Sequence, residues 1–114
     1  MTKLAETLEQ ELGETVKLFR TMYPSMDFAL LDIVHPEASK GVGVAAVAAE
    51  LDISREEVMA IGDNFNDLEM LRYAGTGVVM GNADQVLREL QGLHSTAGND
   101  EDGVAQAIER LILN

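Results

Sequence analysis

The chain contains no cysteine and no tryptophan, two prolines, few aromatic residues and only eight Lys and Arg. The absence of cysteine excludes a disulfide framework and any thiolate metal site. It fits a cytoplasmic protein. The shortage of basic residues is set against twenty Asp and Glu, for a net charge of −12 with both His neutral. That balance argues against nucleic acid or an anionic membrane surface as a partner, since both need clustered Lys and Arg. No apolar run approaches the ~20 residues that span a bilayer. The opening Met1–Glu6 turns acidic at once and offers no apolar signal core. What remains is 114 residues, 46% hydrophobic and 25% charged, the composition of one ordered domain-sized unit.

The pattern alternates short apolar runs with amphipathic ones. Leu4, Leu8, Leu12, Val16 and Phe19 recur at steps of three and four, which predicts a helix over 3–23 that Tyr23-Pro24-Ser25 stops. Phe28 to Val34 reads as a strand closed by His35-Pro36-Glu37. Gly41 to Leu51 reads as a helix of small side chains. Ser54-x-x-Glu57 has the spacing of a capping box and predicts one short helical turn. A strand over 58–61, a helix over 64–72, a turn at 75–77 and a strand over 78–80 follow. Asn82-x-x-Gln85 reads as the cap of a helix over 83–90. Leu93–Thr96 reads as a minimal fourth strand. Val104, Ile108, Leu111 and Ile112 share one face of a last helix. This alternation predicts an α/β fold with a parallel sheet flanked by helices. The best candidate for a domain boundary is Pro36–Ser39, giving an N-terminal part over 1–36 and a C-terminal part over 37–114.

In an open parallel sheet, ligands bind beyond the carboxyl ends of the strands. Ile61-Gly62-Asp63-Asn64-Phe65-Asn66-Asp67 falls there. Asp63 follows the strand directly, and Asp67 lies four residues on, so both carboxylates can face one point. Carboxylate oxygens in that place suit Mg2+, and a helix N-terminus beside them suits a phosphate. The same residues also read as a helix cap, with Asp63 and Asn64 capping and Asp67 complementing the dipole. Gly81-Asn82-Ala83 reads as a cap in the same way. Lys40 opens a helix, where its charge opposes the dipole. An ammonium there is useful if it meets a phosphoryl group, and otherwise is a solvated surface lysine. His35 and His94 lack metal-ligand spacing and read as surface residues. Met59, Met70 and Met80 read as core filler.

Lys40, followed 23 positions later by Gly-Asp-Asn-Phe-Asn-Asp, resembles the haloacid dehalogenase (HAD) superfamily, and within it the Cof-type phosphatases of subfamily IIB. Ala38–Gly41 resembles the third motif of that family and Glu57–Leu71 the fourth. Ala74–Ala83 and Asn99–Ala105 resemble its closing segments, so the likeness runs from about Ile33 to the C-terminus. It implies a Rossmann-like core and hydrolysis of small phosphate monoesters, sugar phosphates among them, through an aspartyl-phosphate intermediate. It also implies Mg2+ as cofactor, with Asp63 as metal ligand and Asp67 supporting the metal site through a water or hydrogen bond. Lys40 and Asp67 then belong to the catalytic set, while Lys40 and Asn66 face the substrate and its phosphoryl group.

The family's first motif, Asp-x-Asp-Gly-Thr, supplies the nucleophile and the general acid/base. It does not occur in these 114 residues. Asp100-Glu101-Asp102-Gly103 mimics it in letters only, because no adequate strand precedes it and Val104 stands in place of Thr. The resemblance therefore implies the C-terminal part of such an enzyme, preceded over 1–36 by the end of its cap, and inactive alone. A strand over 58–61 without its central neighbour would expose an edge, which a second copy or an N-terminal portion could cover. The competing reading is a non-catalytic α/β module, monomeric or dimeric, that binds metal or a phosphorylated ligand without chemistry. A response-regulator receiver is disfavoured by the order of Lys40 and Asp63 and by the lack of an early acidic pair.

Overall fold

The computed structural model describes residues 2–23, 26 and 28–113. Chain contacts divide into two compact units, Met1–Ala38 and Ser39–Asn114.

In the first unit, helix α1 (Thr2–Leu12) ends at Gly13, whose φ of +50° is left-handed. Glycine enters that region without steric cost, and this is a common way to stop a helix. A single 3-10 turn follows, and then strand β1 (Lys17–Tyr23) pairs antiparallel with β2 (Phe28–Val34), in register from Lys17↔Val34 to Tyr23↔Phe28. The helix expected over 3–23 is thus corrected to its first half. The Leu4, Leu8, Leu12 spacing is genuine. Val16 and Phe19 continue it only numerically, because the chain beyond Gly13 is extended. Lys17 and Phe19, two apart and on one strand face, place the ammonium 5.2 Å from the ring centroid. Arg20 on β1 meets Glu9 on α1 at 3.3 Å. The expected stop at Pro24-Ser25 lies outside the described residues.

The second unit begins with α2 (Lys40–Glu50), capped by Ser39, whose hydroxyl accepts the Val42 N–H at 3.0 Å. Of its small residues, Gly41 and Ala48 are buried. A Cβ on Gly41 would lie 2.9 Å from the Glu69 backbone, so the first turn of α2 presses directly on the chain at Glu69. The capping box at Ser54 and Glu57 forms as expected. Strand β3 (Met59–Gly62) leads through a 3-10 turn, Phe65–Asp67, into α3 (Leu68–Tyr73). Strand β4 (Thr76–Val79) is parallel to β3 and starts two residues earlier than the expected 78. Helix α4 (Gln85–Arg88) is shorter than expected. It is capped by Asp84, which accepts the Val86 N–H at 2.8 Å, and not by Asn82. Strand β5 (His94–Ser95) joins β4 in parallel, and α5 (Gly103–Ile108) closes the unit.

The fold is α/β, with a parallel sheet in the order β3-β4-β5 and helices between its strands. Ala60, Leu71, Ala74, Val79, Ala83 and Leu87 form the core cluster. The last α-helix is shorter than expected. Helix α5 stops at Ile108 and a π-helical segment, Glu109–Leu113, follows; α5 buries Gly103 and Ala107, while Val104 and Ile108 on it and Ile112 beyond it are exposed. A Cβ on Gly103 would fall 2.0 Å from the Ala97 carbonyl oxygen, so only the small-residue face of α5 can approach this closely. Both His35 and His94 are exposed. Among the described residues no helix is long and apolar enough to cross a membrane.

Candidate functional site

The site lies where β3 runs out. Gly62 is the last strand residue, and a Cβ there would come within 2.6 Å of the Asp67 Cβ and 2.7 Å of its Oδ2. Glycine at 62 therefore lets the Asp67 carboxylate fold back beneath the strand tip. Asp67 is the buried acid of the chain, at 4% exposure among the described residues. Burial of a carboxylate is costly unless it is fully paired. Here its Oδ2 accepts the backbone N–H of Asp63 at 3.0 Å and of Asn64 at 3.1 Å, and its Oδ1 accepts from Lys40 Nζ at 2.5 Å.

This arrangement separates the two readings that the sequence leaves open. Asn64 is the residue in the cap position, and its side chain accepts the Phe65 N–H at 2.9 Å. Asp67 completes the cap from the other end of the turn. The Asp63 side chain takes no part in capping. It stays exposed, and its Oδ2 meets Asn82 Nδ2 at 3.3 Å. Among the described residues no donor faces its other oxygen. The fold thus assigns the structural work to Asn64 and Asp67 and leaves the Asp63 carboxylate at the strand tip with Asn82 on one of its oxygens.

Lys40 is half in solvent, with 53% of its side chain accessible against 6% for Asp67. The close approach of α2 at Gly41 brings this ammonium to the β3 tip from a neighbouring element. Lys40 and Asp63 are therefore tied to the same carboxylate, one by its side chain and the other by its backbone. Asn66 sits on the same turn, and its Oδ1 is buried with no hydrogen-bond partner among the described residues. An acceptor left in that state is unusual in folded proteins.

Asn82 was legible in the sequence only as a cap. Its Nδ2 instead faces Asp63, and its Oδ1 accepts the Asn99 N–H at 3.0 Å. The available clue was that Asn82 and Asp84 both precede one short helix, and only one of them can cap it. The acidic run Asp100, Glu101, Asp102 is fully on the surface, in a turn where Asp102 has a φ of +59°. Among the described residues no three His, Asp or Glu side chains converge in a way that could hold a metal ion.

A family model described as haloacid dehalogenase-like hydrolase matches residues 1–108. A protein of Bacillus subtilis (strain 168) named "Putative phosphatase YxeH" is 47% identical over 93 residues, covering 82% of this chain and 34% of its own length. A crystal structure of a haloacid dehalogenase-like hydrolase from Bacteroides thetaiotaomicron superposes with a TM-score of 0.78 at 35% identity, covering 97% of this chain and 40% of that one. The structure of the HAD subclass IIB sugar phosphatase BT4131 superposes with a TM-score of 0.80 at 28% identity, covering 96% and 39%. The chain thus spans only 34–40% of the length of these matches.

Proposed function

Because this chain belongs to the haloacid dehalogenase-like hydrolase family, we propose that it forms the lysine and metal-binding half of a phosphatase site for small, sugar phosphate-like monoesters. The observation that carries this reading is the joint tie of Lys40 and Asp63 to the buried Asp67. The likeness to a subclass IIB sugar phosphatase supports the substrate class.

The donor set fits Mg2+ in part. Asp63 offers one carboxylate oxygen without a donor facing it, and Mg2+ takes one or two carboxylates and fills its other positions with water and phosphate oxygens. When bound, the ion supplies positive charge to the oxygens of the transferring phosphoryl group. Lys40 supplies a second positive charge there and orients the attacking carboxylate. Asp67 holds Lys40 and fixes the backbone of Asp63. Both Asp67 oxygens are already engaged, so its support of the metal runs through these hydrogen bonds. Asn66, on the same turn, is the residue we assign to contact with the substrate or its phosphoryl group.

Phosphoryl transfer in this reading also needs an attacking carboxylate. Asp-x-Asp-Gly-Thr does not occur in the 114 residues. We assign that group to an N-terminal portion of the kind the longer relatives carry, with residues 1–36 as the end of a cap and 37–114 as the C-terminal part of the core. β3 is an edge strand of the three-stranded sheet, which leaves a side for the nucleophile-bearing strand to pair. The test uses para-nitrophenyl phosphate with Mg2+. The 114-residue chain alone is expected to stay at background. Adding the unmatched portion of YxeH as a separate polypeptide is expected to give Mg2+-dependent turnover that Asp63→Ala removes. Robust turnover by the chain alone, lost in Asp63→Ala, would overturn the assignment.

A further inference from the structure

Three loops meet beyond the carboxyl ends of β3, β4 and β5, and one side chain touches both of the others from the middle loop. Asn82 accepts the backbone N–H of Asn99 through Oδ1 at 3.0 Å and faces Asp63 Oδ2 through Nδ2 at 3.3 Å. The first contact sets the direction of the second. With Oδ1 committed to a backbone donor, the amide group must present its N–H to the carboxylate.

The loop that carries Asn82 is itself held. The Gly81 N–H donates to the Ala97 carbonyl at 3.2 Å, and a Cβ on Gly81 would lie 2.9 Å from the Gly98 nitrogen. Two backbones in contact fix the reach of Asn82 toward Asp63. Helix α4 does not need Asn82, because Asp84 caps it. The Asp63 backbone is anchored separately, by Asp67. Asp63 thus has one anchor on its amide and another on its carboxylate, from two different loops. An exposed carboxylate without the second would turn freely about its side-chain bonds and lose entropy on binding a cation.

We propose that Asn82 is a positioning residue, holding one oxygen of Asp63 so that the other is presented to a divalent cation. The proposal rests on the reading of Asp63 as the cation's carboxylate. Groups that orient a metal-binding carboxylate typically change affinity ten- to a hundredfold when removed.

The experiment uses the full chain and Mn2+ as a paramagnetic stand-in for Mg2+. Without metal, the Asp63 Hα–Hβ couplings report its side-chain rotamer. The native chain is expected to show one rotamer and Asn82→Ala an average, with Asn82→Gln restoring part of the preference. With Mn2+, line broadening centred on the Asp63 and Gly62 amides is expected to saturate at roughly tenfold higher concentration in Asn82→Ala. Metal-free melting is expected to be nearly unchanged, since Asn82 is exposed. Equal couplings in the native chain and Asn82→Ala would overturn the positioning role, even if Mn2+ binds, and a lowered melting temperature beside equal couplings would mark Asn82 as a loop tie only. A rotamer difference without any broadening at Asp63 would instead overturn the cation reading, and the proposal with it.

Discussion

The two units of the chain are built from similar residues and bury them very differently. The largest fully buried side chains, Leu71, Leu87, Val78 and Val79, all belong to residues 39–113. In residues 2–38 the buried apolar residue among those described is Ala5, while Phe28, Leu30 and Ile33 on β2 are 44%, 43% and 51% exposed. A parallel sheet crossed by helices closes its own core. A two-stranded antiparallel pair has no second layer and is marginal by itself. The lesson is that stability and site share an address. The strand tips that carry Asp63 and Asn82 emerge from the well-packed sheet, where one hydrogen bond holds the Asp63 backbone and another meets its carboxylate.

The contrast is broken most sharply by paired truncations. Leu87→Ala removes a fully buried side chain from the core cluster and is expected to cost about 3 kcal/mol. Leu30→Ala on the half-exposed strand is expected to cost under about 1 kcal/mol. Urea unfolding of both variants measures the difference. Equal losses would mean that the two units unfold as one body and that the contrast in burial has no energetic counterpart.

How far the letters revealed this arrangement follows the same division. β2 was read with its observed bounds, because an apolar run between Pro24 and His35-Pro36 has few alternatives. β1 was misread as helix. Its Lys-Leu-Phe-Arg-Thr-Met-Tyr sequence keeps apolar residues at helical spacing by accident, and the stop signal, Gly13, is a single residue whose left-handed φ shows only in three dimensions. Lys40, Asp63, Asn66 and Asp67 were legible as one group because they sit on short motifs. That Asp67, not Asp63, is the buried acid was not legible, since it depends on the space left by Gly62. Asn82 was missed because its partners, Asp63 and Asn99, come from other loops, and no spacing within one segment encodes a contact across three strand tips.

A second perturbation asks whether the site draws on the stability of its unit. Asp67→Ala would leave the Asp63 and Asn64 N–H groups partly buried and unpaired and release Lys40. Unsatisfied buried donors cost about 1–3 kcal/mol, and the exposure of Lys40 keeps its share of the pair small. A total near 2 kcal/mol is expected in the same urea measurement, with Asp67→Asn losing less because it retains an acceptor oxygen. A loss below about 0.5 kcal/mol would mean that the amides find other partners and that the Asp63 backbone is not held as the geometry indicates.

The smallest perturbation examines the opposite end of β3, where the capping box sits. Ser54 N–H and Oγ both meet Glu57 Oε1, at 3.2 and 3.0 Å, on a turn whose Arg55 carbonyl accepts the Gly75 N–H at 2.8 Å. This box therefore fixes how the chain approaches β3 and how the turn before β4 lies against it. A Cβ on Gly75 would sit 2.7 Å from the Glu56 Cα, so the two turns have no slack between them. Ser54→Ala keeps the Glu57 contact to the backbone N–H and loses the hydroxyl, for an expected cost of about 1 kcal/mol or less. Amide hydrogen exchange separates a local from a shared effect. A local effect speeds exchange at Val58 and Gly75 and leaves Met80 unchanged, because the Met80 N–H donates to Gly62 at the far end of the strand pair. Faster exchange at Met80 as well would show that the amino end of β3 and the tip that carries Asp63 open together, so that even a surface cap bears on how firmly the site is held.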